Sequence, residues 1–295
     1  MRAEPYMINF PQLVVNSFVT GGLYLLAGTG LTLTYGLSRF PNFAYAEFVT
    51  LGAFAGYLFL DQPGRPVLPA LAAAFAASGL LSAAAYTLVF RPLQARNAGL
   101  IHLMIASIGL GYVVRHAIGA VWGWSALSYQ AVWETYDLMG TRLSALWLAL
   151  ILTAFATAAF LHLLLTRSRI GKAIRAIAGN PDLARVTGID ANRVTLFTWF
   201  LGAALAGAAG VFRAADTRLY PMLGWEILLP IFAATVLGGI GNFYGLVAAA
   251  LILGLAENFG VVLLSAAGLS TEYRMAVAFL VLILVLIFRP RGLAR

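Results

Sequence analysis

Long apolar runs, separated by short polar interruptions, extend over almost the whole chain. A run of about 20 apolar residues is long enough to cross the ~30 Å hydrocarbon layer of a bilayer as an α-helix. The first run lacks a small-residue cleavage site, so it is interpreted as a retained span and not as a signal peptide. The pattern predicts seven spans: Leu13–Tyr35, Val67–Phe90, Leu100–Gly119, Leu143–Leu165, Val194–Phe212, Phe243–Ala267 and Tyr273–Phe288.

Two shorter apolar segments, Phe43–Leu60 and Ile227–Ile240, lie beside breaks in this pattern. Asn42 is expected to cap the first, and Gly238 and Gly239 interrupt the second. Short apolar segments broken in this way are typical of discontinuous helices, because freed backbone groups are tolerated at membrane depth only beside a cavity or another helix. The sequence therefore predicts eight or nine crossings within a single domain, residues 1–295.

Composition places the chain in the class of all-α polytopic membrane proteins. Hydrophobic residues make up 61% of the chain and charged residues only 10%, whereas about 25% charged residues is usual in soluble domains. The formal net charge of +8 is not read as a nucleic-acid signal, because the basic residues lie between the apolar runs. The expected environment is a lipid bilayer. The absence of cysteine excludes disulfides and thiolate chemistry.

Basic residues are concentrated in three interruptions that fall on one side of the predicted topology. The positive-inside rule makes this side cytoplasmic, with the N-terminus outside and the C-terminus inside. Eleven of the 19 basic residues belong to this group: Arg91, Arg96, Arg167, Arg169, Lys172, Arg175, Arg185, Arg193, Arg289, Arg291 and Arg295.

The longest polar interruption, residues 167–193, has the pattern of two short helices joined by a turn. Ser168 is expected to cap a first helix over Arg169–Ala178. Gly179 then lies where a residue with positive φ commonly ends a helix. Asn180 follows as the predicted cap of a second helix, Asp182–Thr187.

This second helix has the features of a docking element. Its length is under two turns, so it would be marginal alone in water. Leu183 and Val186 lie three residues apart on one face, and an amphipathic helix presented on a loop is typical of a segment that fits a groove. Docking on a partner is favoured over a merely solvated loop. The predicted surface comprises Gly179, Asn180, Pro181, Asp182, Leu183, Arg185, Val186 and Gly188, with Pro181 at the first helical position, Asp182 at the positive end of the dipole and Gly188 ending the helix.

Glu47 and Glu257 are acidic residues within apolar runs. A charge at the bilayer centre costs about 2.5–3.5 kcal/mol, so such residues are candidates for a functional site. They would then line or brace a translocation path. In the structural alternative, Glu47 is stabilised by the helix dipole and Glu257 pairs with Asn258 or a partner helix. The residues alone leave both interpretations open.

The remaining polar residues do not indicate an enzyme. Arg115 and His116, and likewise His162, lie near span ends and are expected to snorkel to the surface. The histidines, His102 included, are scattered without carboxylates at matching helical spacing, so no metal site is predicted. No serine lies in a G-x-S-x-G context, and no G-x-x-x-x-G-K-[ST] motif is present. We therefore expect no ATP site in the chain itself.

Four stretches, taken together and in order, resemble the LivH-type permease subunits of branched-chain amino acid ABC importers. They are Gly30–Gly36 continuing to Asn42–Glu47, Gly171–Val194, Val236–Gly241 and Leu269–Arg274. The resemblance implies an importer permease fold in the cytoplasmic (inner) membrane of a bacterium or archaeon. It also implies that the 167–193 loop couples the chain to a cytoplasmic ATPase.

Further partners are implied by the same resemblance. They are a second, LivM-type permease, two ATPase subunits that hydrolyse ATP, and an extracytoplasmic solute-binding protein, while this chain itself holds no cofactor. The expected translocation path includes Asn42, Tyr45, Glu47, Gly238, Gly239 and Glu257.

The solute stays open at this point. The chain has Tyr45 and Ala46 where the family usually has histidine and glycine, and Pro230 where relatives can carry a lysine. Branched-chain and other amino acids, amides, urea and small aromatic acids are all handled by the family. The alternative is a self-sufficient secondary transporter or channel that couples ions through Glu47 or Glu257. The capped cytoplasmic helix and the scarcity of buried acids favour the permease.

Overall fold

Helices account for most of the described residues. The structure, a computed structural model, describes residues 9–293 except 63, 65, 132, 139, 271, 272, 290 and 291. Thr271 and Glu272 of the last family stretch, and Arg291 and Arg295 of the basic C-terminal segment, lie outside the described residues, as do both chain termini.

The helices and strands follow one another in this order. The helices are α1 (Phe10–Ser38), α2 (Tyr45–Leu60), α3 (Val67–Ala85), α4 (Arg91–Ala95), α5 (Leu100–Trp122), α6 (Ala145–Arg167), α7 (Arg169–Gly179), α8 (Pro181–Val186), α9 (Ala191–Asp216), α10 (Leu223–Gly238), α11 (Phe243–Ala266) and α12 (Arg274–Phe288). A π-helical turn, Tyr86–Phe90, joins α3 to α4, and a hairpin of β1 (Thr135–Leu138) and β2 (Thr141–Ser144) precedes α6.

The all-α polytopic class predicted from the sequence is confirmed. Within the described ranges, six helical segments are long and apolar enough to cross a membrane, and three shorter apolar helices, α2, α10 and α12, accompany them. Helix α2 has 16 residues, which correspond to roughly 24 Å at ~1.5 Å per residue. Such a helix is shorter than the hydrocarbon layer, so protein must cover its ends.

Three predicted boundaries were wrong. The arginine at position 91 does not end a helix: the helical path continues to Ala95, because Pro92 lies in the first turn of α4, where a missing N–H is tolerated. The interval between the predicted segments Val194–Phe212 and Ile227–Ile240 shrinks to residues 217–222, because the charged residues at both of its ends are helical; they line a cavity. The segment between the predicted spans Leu100–Gly119 and Leu143–Leu165 contains a hairpin whose four-residue strands are too short to produce a sequence pattern.

Glycine contacts bring the central helices close together. Helices α1 and α9 are the most buried of the six long spans. A Cβ atom added at Gly30 of α1 would lie 2.0 Å from the carbonyl oxygen of Gly202 in α9. A Cβ atom at Gly52 of α2 would lie 2.2 Å from Cα of Gly207 in α9. Small residues at such positions allow the close backbone approach that holds helices together in lipid.

Two ends of the helix bundle can be distinguished. The basic end comprises Arg39, α4, α7, α8 and residues 239–242; the hairpin end comprises residues 9, 61, 62, 64 and 66, the described part of the hairpin and residues 217–222. At the hairpin end, the Asn9 side chain donates to the Gly140 carbonyl (2.7 Å), and Leu127 pairs with Leu219.

The described parts of the three basic interruptions all lie at the basic end. The guanidinium of Arg39 donates to the Ala178 carbonyl of α7 (3.2 Å). Arg91 of α4 and Arg185 of α8 line the same cavity. The backbone that follows α12 returns to α10, where the Leu293 N–H donates to the Leu237 carbonyl (2.8 Å).

The α1–α9 contact generates a prediction about stability. Gly30→Ala forces the two backbones apart, so it is expected to lower the free energy of unfolding by about 1–3 kcal/mol. Thermal unfolding of the detergent-solubilised chain, followed by tryptophan fluorescence, measures the change. Gly109→Ala in α5 is the matched control, because a Cβ atom there meets nothing within 4 Å. Equal midpoints for the two variants would contradict the role of this contact.

Candidate functional site

Helix α7 anchors the polar element of residues 167–193 to the bundle. The Ser168 hydroxyl accepts the Gly171 N–H (2.9 Å), which confirms the predicted cap. Gly171 lies against the backbone of α6, and Ile174 and Ile177 are buried. The predicted positive φ at Gly179 was wrong. This residue ends α7, and the chain turns at Asn180, whose extended conformation (φ −147°) lets one residue flank both helices.

The predicted cap of α8 is confirmed. Asn180 Oδ1 accepts the N–H groups of Asp182 (3.1 Å) and Leu183 (3.0 Å). Pro181 occupies the first helical position, and Gly188, with φ +84°, follows the end of the helix as expected. Both termini of this six-residue helix are therefore stabilised locally.

Helix α8 directs an apolar pair outward. Ala184 is buried against Ile177 and Ala191, whereas Leu183 is 61% and Val186 is 84% exposed. The helix is thus held on one side by the bundle and presents two large apolar side chains on the other. We call Leu183 and Val186, with the α8 backbone, the α8 surface.

Glu47 and Arg115 form a buried ion pair between α2 and α5. Glu47 is fully buried, and Arg115 is 5% exposed. Arg115 Nε donates to Glu47 Oε1 (3.0 Å), Nη2 donates to the same oxygen, and the guanidinium lies 4.7 Å from the ring centroid of Trp225. The expectation that Arg115 snorkels was wrong, because a carboxylate on another helix and an aromatic face provide partners inside the protein. His116 and His162 are exposed, as expected.

The surroundings of Glu47 differ in part from the prediction. Glu47 does lie in the first turn of α2, but Ala44 is the N-cap residue. The Asn42 side chain accepts the Ala44 N–H (3.1 Å) two residues before the helix starts. Among the described atoms, Glu47 Oε2 and Asn42 Nδ2 are buried without a hydrogen-bond partner.

Glu257 belongs to a second network, between α1, α11 and α12. The Tyr24 hydroxyl lies 2.9 Å from both carboxylate oxygens, and Arg274 Nε donates to Oε2 (2.9 Å). Arg274 also donates to the Thr20 hydroxyl (2.9 Å). The partner of Glu257 is therefore on another helix, as one of the two structural alternatives predicted. Asn258 instead donates to Thr20 (3.1 Å).

A cavity of about 130 Å³ adjoins this network toward the hairpin end. It lies between α1, α6, α9, α10, α11 and α12. Its charged lining consists of Arg213, Asp216, Glu226, Glu257 and Arg274. Two of these, Glu257 and Arg274, already pair with each other. We call this cavity the charged cavity.

Of the six residues predicted to line a translocation path, Glu257 is the one that lines the charged cavity. Tyr45 is buried, and its hydroxyl donates to the Ala27 carbonyl. Gly238 packs against Gly245 of α11, and Gly239 has φ +97°. Asn42 and Glu47 lie elsewhere, so the structure does not gather the six into one site, and a path through them stays a prediction.

Sequence reasoning missed Arg213, Asp216 and Glu226, because they fall between the predicted segments Val194–Phe212 and Ile227–Ile240. Arg213 and Asp216 are three residues apart in α9, and Glu226 lies in the first turn of α10. The i, i+3 spacing places the first two on one helix face, which was the available signal. Burial and the Glu226 carboxylate raise the pKa of Tyr220, in the connecting loop, to about 12, so this phenol stays neutral beside the cavity.

Comparison with known proteins shows to which family the chain belongs. Residues 13–286 match the family described as "Branched-chain amino acid transport system / permease component". The chain belongs to this permease family. It is 32% identical to the high-affinity branched-chain amino acid transport system permease protein BraD of Pseudomonas aeruginosa, over 98% of this chain and 97% of that protein.

Two further members of the permease family have a bearing on the assembly. The LivH permease protein of Escherichia coli K12 is 30% identical over 96% of this chain and 95% of its own length. The LivM permease protein of the same organism is 26% identical over 99% of this chain and 72% of its own length. The similarity predicted from four sequence stretches therefore extends over nearly the whole chain. The named relatives are transport permease proteins and not enzymes.

The buried pair of this permease generates a second prediction. Arg115→Met leaves the Glu47 carboxylate buried without its partner, which is expected to cost about 3–5 kcal/mol of stability. The double variant Glu47→Gln, Arg115→Met removes both charges and should recover most of this loss. Thermal unfolding in detergent measures both. Arg142→Met, at an exposed site in the hairpin, is the control, and additive losses in the double variant would contradict the pairing.

Proposed function

We propose that the chain is the membrane-spanning permease subunit of an ATP-driven importer for branched-chain amino acids or a related small solute. Family membership and the names of its full-length relatives support this function. Similarity to both LivH and LivM proteins supports assembly with a second, related permease. An extracytoplasmic solute-binding protein would deliver the solute.

The observation that carries the proposal is the α8 surface. Leu183 and Val186 are exposed at the basic end, while Ala184 ties α8 to the bundle. A small apolar face beside basic residues is suited to the groove of a cytoplasmic protein. Since the chain has no P-loop motif, ATP is bound and hydrolysed by two separate ATPase subunits that dock here.

Contacts at the basic end provide a route from this surface to the core. Arg39, which ends α1 with φ 55°, donates to the Ala178 carbonyl of α7. Movement of α7 and α8 is therefore transmitted to α1, one of the two central helices. In this proposal, closure of the ATPases displaces α7 and α8, and the spans rearrange in response.

The arginine partners of Glu47 and Glu257 favour a permease subunit over a self-sufficient carrier. An ion-coupling carboxylate must exchange its proton or cation during transport. Glu47 and Glu257 instead each bind an arginine of another helix within the protein. Such pairs suit a bracing role better than an ion-coupling one.

Docking at α8 predicts the effect of one substitution. Leu183→Asp places a charge on the apolar contact face, so ATP-driven uptake of L-leucine should fall at least about tenfold. Membrane insertion and thermal stability should be unchanged, because Leu183 is exposed. Uptake is measured with the tagged chain purified in mild detergent from its native membrane with its partners and reconstituted.

The matched control is Leu269→Asp, an identical change at an exposed position between α11 and α12. It should leave both uptake and ATPase co-purification intact. Normal uptake by Leu183→Asp, or a chain that purifies alone and transports without ATP, would contradict the proposal. The second result would also move Glu47 and Glu257 to the centre of the mechanism.

The proposed topology is testable because the chain lacks cysteine. Asn192→Cys lies at the start of α9 at the basic end, and Ser125→Cys lies in the connection after α5 at the hairpin end; both positions are exposed. An impermeant maleimide should label Ser125→Cys in intact cells or spheroplasts and Asn192→Cys only after permeabilisation. Labelling of Asn192→Cys but not of Ser125→Cys in intact cells would show that the basic end faces outward and would contradict the proposed orientation.

A further inference from the structure

The charged cavity leaves both signs of charge available to a ligand. Within the described chain, the Arg213 guanidinium makes no hydrogen bond or ion pair, and Glu226 makes no ion pair. Asp216 accepts one hydrogen bond, from the Trp147 indole N–H (2.7 Å). With Glu257 and Arg274 paired, the lining thus offers one half-buried guanidinium without an ion-pair partner among the described residues and two exposed carboxylates, of which Glu226 also interacts with the Tyr220 hydroxyl.

Apolar side chains line the rest of the charged cavity. Leu23, Leu150 and Ile227 are all less than 9% exposed, and Pro230 is also buried. The volume of about 130 Å³ suits a ligand of few atoms, since an apolar cavity of about 150 Å³ can hold benzene. One wall is therefore apolar, and another carries opposite charges.

We propose that the charged cavity binds an aliphatic α-amino acid in its zwitterionic form. Arg213 takes the α-carboxylate, for which its planar guanidinium is suited. Glu226 and Asp216 take the α-ammonium group, and the aliphatic side chain lies against Leu23, Leu150 and Ile227. The Glu257–Arg274 pair, with Tyr24, braces the cavity floor.

This site narrows the solute of the proposed importer, and the inference rests on that proposed function. Urea and simple amides lack charges that would compensate Arg213 and Glu226. An aromatic acid supplies a carboxylate but leaves both acidic side chains without a cation. Leaving the half-buried Arg213 guanidinium without a carboxylate opposes binding, and the two more exposed acidic side chains add to this preference when a cation pairs with them. Amino acids with aliphatic side chains satisfy all three parts of the lining.

The position of the cavity agrees with this use. Asp216 ends α9, Glu226 lies in the first turn of α10, and Arg274 begins α12, so the cavity opens near the hairpin end. In the proposed topology this is the outer side, from which a solute arrives. Pro230 carries no charge at the position where relatives can carry a lysine. In the proposed site, Arg213 of the neighbouring helix α9 supplies the positive charge instead.

Binding of radiolabelled L-leucine to the purified full-length chain, without other subunits, tests the site. Three compounds compete: unlabelled L-leucine, L-leucinamide, which lacks the carboxylate, and 4-methylpentanoate, which lacks the ammonium group. Arg213→Gln should weaken L-leucine at least about tenfold and leave the affinity for L-leucinamide, measured directly with labelled compound, unchanged. Glu226→Gln should weaken L-leucine similarly but not 4-methylpentanoate.

Retained binding of L-leucinamide by Arg213→Gln, and of 4-methylpentanoate by Glu226→Gln, shows that each variant is folded. Arg218→Gln removes an exposed arginine in the neighbouring loop that does not line the cavity, and it should bind L-leucine as the unaltered chain does. No binding of L-leucine by the unaltered chain, or equal losses for all compounds in either variant, would overturn the inference.

Uptake separates this inference from the proposed function. If the unaltered complex imports L-leucine with ATP while Arg213→Gln imports it equally well, the cavity is not the binding site and the permease function stands. If the unaltered complex shows no ATP-driven uptake but the chain binds L-leucine with the predicted selectivity, the site stands and the importer proposal fails.

Discussion

The close contact of α1 and α2 with α9 is the constraint on which the rest of the structure depends. Lipid tails are as apolar as the side chains they would replace, so burial in a membrane supplies little force to bring helices together. Van der Waals contact must do so instead, and it requires backbones to approach closely. Gly30 against Gly202, and Gly52 against Gly207, provide that approach. The remaining helices pack around this centre.

Two ion pairs, of which the one between Glu47 and Arg115 is buried and the one between Glu257 and Arg274 is half-exposed at the arginine, join short helices to their neighbours. Glu47 with Arg115 ties α2 to α5, and Glu257 with Arg274 ties α12 to α11, while Tyr24 extends the second network to α1. Charges inside a membrane are tolerated only with such partners. Each pair therefore gives a short helix a defined neighbour and depth.

The α8 surface and the charged cavity lie at opposite ends of the same central helices. Helix α1 contacts α7 through Arg39 at the basic end, and residues in the half of α1 nearer the hairpin end, among them Val19 and Thr20, line the charged cavity. Helix α9 begins after α8 and ends with Asp216 at the cavity. A displacement at the proposed docking surface would thus act on helices that also shape the proposed solute site, which is the coupling that an ATP-driven importer requires.

The sequence by itself determined the all-α membrane class, most spans and the capped α7–α8 element, because apolar run length and capping residues act locally. It also indicated the family. Only the tertiary structure decided what the charged residues contact: Arg115 pairs with Glu47, 68 positions away, and Arg213 meets Glu226 across a loop at one cavity. Residues so far apart are brought together by helix packing, and a one-dimensional pattern of polar and apolar positions carries no signal of which helices become neighbours.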